Sequence, residues 1–114
     1  MSSQPRTAII WDERYLLHDM GVGHPESPQR LLAIKKVLEE PSWQGKLTFL
    51  QPRLATREEI GLIHTFDYVK LVEKTAGQMV PLDPDVVTSP HSWEAARLAV
   101  GGVLAGVDWM LQIP

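Results

Sequence analysis

His18-Asp19-Met20-Gly21-Val22-Gly23-His24-Pro25-Glu26-Ser27-Pro28-Gln29-Arg30-Leu31 is the stretch whose reading decides the fold of this 114-residue chain. It sets two histidines, two carboxylates, two glycines and two prolines in a short loop, then launches a helix. Just upstream, Thr7-Ala8-Ile9-Ile10-Trp11 is a short apolar run, which predicts a buried strand. α/β proteins often place their sites in loops of this kind, dense in ionisable groups behind a buried strand. Downstream, Ser27 suits a helix N-cap and Pro28 the first helical position. Leu31, Leu32, Ile34, Val37 and Leu38 recur at helical spacing, so an amphipathic helix is predicted over 28–40, stopped by Pro41.

Working outward, Leu47-Thr48-Phe49-Leu50 predicts a second strand. Thr56-Arg57-Glu58-Glu59 matches a capping box, so a short helix follows through Ile63. Another helix starts near Thr65, carries Tyr68, Val69, Leu71 and Val72, and ends at Gly77. Residues 80–90 read as a loop holding Pro81, Pro84 and Pro90 with Asp83 and Asp85. Ser89-Pro90 repeats the start signal, and a long helix is predicted over 91–111. Trp93, Ala96, Val100, Val103, Leu104, Val107, Met110 and Leu111 form one stripe of it. Ala99, Gly101, Gly102, Ala105 and Gly106 form a small-residue face. Each glycine costs the helix about 1 kcal/mol against Ala, which close approach by another backbone would offset.

The order strand, helix, strand, helix, helix, loop, helix is the beginning of an α/β fold with a parallel sheet. Two strands make a poor parallel sheet, because such strands want neighbours and cover on both faces. The expected organisation is one partial domain over 1–114, with 1–6 as a flexible lead, incomplete and completed by association.

Composition narrows the function classes. Apolar residues make up 44% of the chain, ordinary for a globular core. The net charge of −3 and the lack of a Lys/Arg cluster offer nothing to nucleic acid or an anionic membrane. Cysteine is absent, so there is no thiol nucleophile and no thiolate ligand. No apolar run of signal-peptide type precedes Thr7, and the longest apolar stretch, 98–107, is too short to span a bilayer, which takes about 20 residues. The chain reads as soluble and cytoplasmic.

Four stretches in order resemble the N-terminal third of the histone deacetylase family, nearest its class II and bacterial members. Gly23-His24-Pro25-Glu26-Ser27-Pro28-Gln29-Arg30-Leu31 resembles the family's HPE-x-P-x-R-L segment. Glu58-Glu59-Ile60-Gly61-Leu62-Ile63-His64-Thr65, leading into Tyr68-Val69, is similar to its E-E-L-x-x-V-H-[ST] segment. Asp83-Pro84-Asp85 through Ser89-Pro90-His91-Ser92 is similar to the loop before the family's long helix. Ala95-Ala96-Arg97-Leu98-Ala99 with Gly101-Gly102 and Val107-Asp108 matches that helix.

The resemblance implies the N-terminal portion of a three-layer, arginase/deacetylase-like fold. It also implies a zinc-dependent amidohydrolase that removes acetyl groups from lysine side chains, polyamines or similar amides. In the family, two Asp and one His hold zinc, a His pair does acid/base work, and in many members a Tyr polarises the acyl carbonyl. The family's R-P-P-G-H-H and D-x-D-x-H-H segments have no counterpart in these 114 residues, so no catalytic residue and no zinc ligand is carried over. The resemblance does assign Asp85, within one residue of alignment slack, to the pocket rim that binds the substrate backbone. It places the loop from His18 to Glu26, with His24, at the pocket mouth. It makes Arg30 a channel-lining residue tied to loop carbonyls, with Glu26 in a supporting role.

Each sharp reading has a plainer one beside it. His18, Asp19, His24 and Glu26 suit a metal, but a turn-rich loop whose polar groups satisfy one another is the commoner outcome. Arg30 is either a surface cation over Leu31 or a buried one bound to carbonyls; the resemblance favours the second. Asp83 and Asp85 are either a functional pair or solvated turn residues. His64 and His91 read as cap or packing residues, and the four tryptophans as core, with Trp109 and Met110 as candidates for exposed apolar surface. The leading reading is a deacetylase-type fragment, silent alone: a truncated reading frame, a split gene, or one half completed by self-association or by a complementary C-terminal chain. The alternative is a non-catalytic, self-associating or partner-binding module on the same half-fold.

Overall fold

The computed structural model describes residues 7–112; the expected flexible lead 1–6 lies outside them. Strands β1 (Thr7–Ile10) and β2 (Leu47–Leu50) pair in parallel, in register from Thr7 opposite Leu47 to Ile10 opposite Leu50. The Trp11 amide extends the ladder to the Leu50 carbonyl at 3.1 Å. Parallel neighbours need a crossover, and helix α1 (Pro28–Leu38) supplies it. Ser27 takes the extended N-cap conformation before Pro28, but its hydroxyl makes no capping bond. The helix stops short of the expected residue 40, because the Glu39 amide closes it and Pro41 opens a 3-10 turn, Pro41–Trp43. A second 3-10 turn, Glu13–Leu17, follows β1 where only loop was expected. Asp12 drives it locally: its carboxylate accepts from the Arg14 amide at 2.8 Å and grips the Arg14 guanidinium.

Helix α2 (Arg57–Ile60) has the expected capping box. The Glu59 amide donates to Thr56 Oγ1 at 3.1 Å, and the Thr56 amide donates to Glu59 Oε1 at 2.9 Å. Helix α3 (Phe66–Glu73) is capped by Thr65. The segment read as a loop is instead a small antiparallel hairpin, β3 (Pro81–Asp83) and β4 (Val86–Val87). Its prolines sit at the first residue of β3 and in the turn, where no ladder N–H is required. Leu82, Val86 and Val87 are half-buried and hold it against the body of the fold.

Helix α4 (Ser92–Leu111) lies across β1. Its packed face is Ser92, Ala95, Leu98, Gly101 and Gly102, and the large residues of the expected stripe turn outward, with Val103 67% and Met110 66% exposed. The reason is a backbone. Segment 53–55 runs against the helix: the Ala55 amide donates to the Arg97 carbonyl at 3.0 Å, and Arg97 Nε donates to the Ala55 carbonyl at 2.9 Å. A Cβ at Gly101 would overlap the Arg53 carbonyl, and one at Gly102 would stand 2.7 Å from the Tyr15 hydroxyl and 2.9 Å from Ile10. At positions 101 and 102 that side therefore has no room for a side chain, while Leu98 fills the space one turn earlier. Among the described residues the buried apolar side chains are Met20, Ala55, Val69, Ala95 and Leu98, with Ala55 and Leu98 fully buried. The tryptophans do not form a core: Trp43 is exposed and Trp11, Trp93 and Trp109 are half-buried. Helix α1 contributes no buried residue.

Candidate functional site

An open cavity of about 360 Å³ lies between the Glu13–Leu17 turn, the loop before α1, the β3–β4 hairpin and the first half of α4. Leu31, Val72, Leu82, Val86, Val87 and several α4 alanines make its walls mostly apolar. Tyr15, His18, Glu26, Arg30, Thr88 and Ser92 bring the polar groups. The loop is fastened over the cavity at both ends by a histidine, with Met20 buried between them.

The first fastening is a chain of hydroxyls. His18 Nδ1 lies 2.7 Å from Ser92 Oγ, and Ser92 Oγ lies 2.9 Å from Ser89 Oγ. Ser89 Oγ donates to the Leu17 carbonyl at 2.8 Å and accepts from the Asp19 amide at 3.2 Å. Ser92 Oγ also accepts the Ser89 amide at 2.7 Å. A carbonyl can only accept, so the Ser89 proton is committed to Leu17. The Ser92 proton must then fill the Ser89 contact, and His18 Nδ1 must carry the hydrogen that reaches Ser92. This assignment gives every contact one proton. It leaves His18 Nε2 toward Glu26 Oε2, 3.9 Å away. Ser92, His18 and Glu26 thus have the order of a nucleophile triad, but the Ser92 hydroxyl is buried and already donating, so it is not a poised nucleophile.

The second fastening is His24. The Glu26 amide donates to its Nδ1 at 3.0 Å, and its Nε2 meets the Asp85 carbonyl at 2.9 Å. An amide can only donate and a carbonyl only accept, so this imidazole is neutral with its hydrogen on Nε2. Asp85 sits in the hairpin turn, next to the cavity-lining Val86. Its amide donates to Asp83 Oδ1 at 2.8 Å. Among the described residues its own carboxylate has neither a hydrogen bond nor an ion pair, and Asp85 is exposed.

Arg30 departs from expectation: it lines the cavity, yet its residue is exposed and its side chain bonds no carbonyl among the described residues. Tyr15 was missed, since a five-residue 3-10 turn carries no periodic signal. Its hydroxyl donates to the Leu98 carbonyl at 2.8 Å, and burial pushes its phenol pKa up. His64 stacks on Tyr68 and His91 is the N-cap of α4; neither reaches the cavity. The loop's metal-type donors do not converge. His24 has both nitrogens engaged, Asp19 accepts the Gly21 amide at 2.9 Å, and no group of three or more suitable donors occurs among the described residues.

Comparison with known proteins matches residues 24–113 to the histone deacetylase domain. The chain is 31% identical over 116 residues to acetoin utilization protein AcuC of Bacillus subtilis, covering 92% of this chain and 30% of that one. It is 33% identical over 106 residues to histone deacetylase 15 of Arabidopsis thaliana, covering 88% of this chain and 19% of that one. The crystal structure of the HDA15 HD domain superposes with a TM-score of 0.76 at 31% identity, over 83% of this chain and 29% of that one. The α/β architecture with its parallel strand pair is therefore part of that fold, and the chain spans less than a third of the length of these relatives.

Proposed function

This chain belongs to the histone deacetylase family, and we propose that it builds the mouth and one wall of the substrate pocket of a deacetylase-type amidohydrolase. One observation carries the reading: loop 18–26, the β3–β4 hairpin and α4 converge on a single open cavity with apolar walls. Apolar walls suit the methylene stem of an acylated amine, and a few polar groups at the edge fix its orientation. In this reading Asp85, whose carboxylate has no partner among the described residues, is the rim residue that accepts N–H donors of an acetyl-lysine or similar amide. Tyr15 and the His18–Ser92–Ser89 chain keep the wall and mouth rigid. They hold shape and move no proton to substrate.

Zinc, which the family implies, would activate water and stabilise the oxyanion. The donors among the described residues do not fit it, so no step is derived through it. In this reading the zinc ligands and the acid/base histidine pair come from sequence outside these 114 residues, and the chain alone is silent. The test is turnover of a fluorogenic acetyl-lysine amide with zinc supplied. The 114-residue chain is assayed alone and then extended by whatever its gene encodes after Pro114. Activity only in the extended protein, together with R-P-P-G-H-H and D-x-D-x-H-H in the extension, supports the proposal; turnover by the 114 residues alone overturns it.

A second reading is favoured by the open groove between β1 and α4, where Val103, Val107 and Met110 stand exposed beside Thr7, Ala8 and Ile10. In it, a second copy covers that groove and the module is non-catalytic. Light scattering across a concentration series decides: a concentration-independent monomer eliminates self-association.

A further inference from the structure

We propose that His24 is a positioning residue for Asp85, an inference that rests on the rim role proposed above. Asp85 is held by its backbone at both polar ends, its carbonyl by His24 Nε2–H at 2.9 Å and its amide by Asp83 Oδ1 at 2.8 Å. Fixing the peptide groups on either side of Asp85 fixes where its Cα–Cβ bond points, while leaving the carboxylate without a partner among the described residues. Two free oxygens on a rigid turn form a pre-organised acceptor pair, because little motion is left to freeze when a donor arrives. The same geometry fixes the proton on His24. The Glu26 amide, at 3.0 Å, occupies Nδ1 as a donor, so the hydrogen is driven onto Nε2, the nitrogen that faces Asp85. The loop thus sets the tautomer, and the tautomer sets the hairpin. Asp83 has a matching role, as acceptor for the amide.

The test has two arms. In the full 114-residue chain, long-range ¹H–¹⁵N spectra of His24 should show the neutral Nε2–H tautomer. H24A removes the donor to the Asp85 carbonyl and loosens the turn, so hydrogen exchange at the Asp85 amide, whose own bond to Asp83 Oδ1 is retained, should speed by up to roughly 10-fold, while the Val69 and Leu98 amides stay protected. H24Q, whose amide nitrogen can stand where Nε2 stood, should restore protection. H24N, which offers an acceptor to Glu26 but cannot reach Asp85, should not.

In the complete deacetylase carrying this chain, H24A should raise KM by roughly 5- to 10-fold for Nα-acetyl-Nε-acetyl-lysine methylamide. It should leave kcat, and KM for N-butylacetamide, which lacks the backbone N–H groups, little changed. H24A should add nothing on top of D85A. An Nδ1–H tautomer, or an unchanged Asp85 amide in H24A with the core amides intact, overturns the proposal. So does a KM rise in D85A with none in H24A. If D85A itself leaves KM unchanged, the rim reading of the previous section is what fails, whatever the spectra show of the clasp.

Discussion

Helix propensity and packing make opposite predictions for Gly101→Ala, and the structure decides between them. Propensity alone says the change stabilises α4 by about 1 kcal/mol, since Gly is a poor residue for a helix interior. The structure puts the new methyl onto the Arg53 carbonyl, with the Ala55 amide nitrogen 3.0 Å away. Both neighbours are backbone, so no rotamer change relieves the clash, and α4 must move away from segment 53–55. Overpacking of this kind costs roughly 1–3 kcal/mol. The separation also breaks the Ala55 amide bond to Arg97, worth about 1 kcal/mol, and the guanidinium bond from Arg97 to Ala55, worth roughly 1.5–3 kcal/mol. After the propensity gain is subtracted, the net loss is roughly 3–6 kcal/mol. Gly106→Ala is the control on the same helix. Its methyl would meet Ile10 at 3.5 Å, an ordinary contact, so it should stabilise by roughly 0.5–1 kcal/mol. Urea unfolding of the full chain, followed by tryptophan fluorescence, should move the midpoint down for one variant and up for the other. Hydrogen exchange at the Ala55 amide gives the local readout. A Gly101→Ala chain as stable as the parent would refute the backbone-contact reasoning.

Three further outcomes follow from named contacts. The Arg53 guanidinium, with help from the Thr56 amide, holds the Glu59 carboxyl at about 2, below its ordinary 4.5. A lowered carboxylate value stabilises the fold only while ionised, so this contribution is complete above pH 4.5 and is lost as pH falls through about 2. A ¹³C titration of Glu59 should show the low midpoint, and Arg53→Ala should move it most of the way back; a midpoint near 4.5 in the parent chain rejects the pairing. Ser92→Ala leaves the buried Ser89 amide and the half-buried His18 Nδ1 without their partner, so it should cost roughly 1–3 kcal/mol by urea unfolding. An unchanged midpoint would mean that the hydroxyl chain does not form. Tyr15→Phe removes the donor to the Leu98 carbonyl and should cost roughly 0.5–1.5 kcal/mol in the same assay, a neutral result counting against that bond.

Features set by neighbouring residues were legible in the sequence. The α1 start at Pro28 follows from the local preference of proline for the first helical turn, and the Thr56–Glu59 capping box and the Thr65 cap are bonds between residues a few positions apart, so residue types and spacing suffice to find them. What escaped was set at long range or over too few residues. The β3–β4 hairpin has strands of three and two residues, too short for alternation to show. For α4 the apolar and small faces were both visible, but which one turned inward depended on segment 53–55, some forty residues away. The sequence singled out His18, His24 and Asp85, but not what they touch. His18 meets Ser92 across 74 positions and His24 meets Asp85 across 61. Arg30, expected to line a channel, lines the cavity beside the α1 start, and its expected carbonyl partners are not among the described contacts.

Surface area decides how far the half-fold can stand without cover. The chain exposes 8187 Å², whereas a compact monomer of 12.8 kDa exposes roughly 6,300 Å². Its radius of gyration of 16.3 Å likewise exceeds the roughly 13 Å expected for this length. Much of the excess is apolar: Leu62, Ile63, Val103, Met110 and Leu111 are 82%, 85%, 67%, 66% and 79% exposed. Among the described residues β1 and β2 each have a single ladder neighbour, so each offers an open edge. If half of the excess were apolar area removed from water, the gain would be on the order of 20 kcal/mol, more than the whole stability of an ordinary domain. A term of that size outweighs any single bond within the chain. The open apolar area lies on the outer face of α4 and around Leu62 and Ile63, beside the unpaired edges that β1 and β2 have among the described residues.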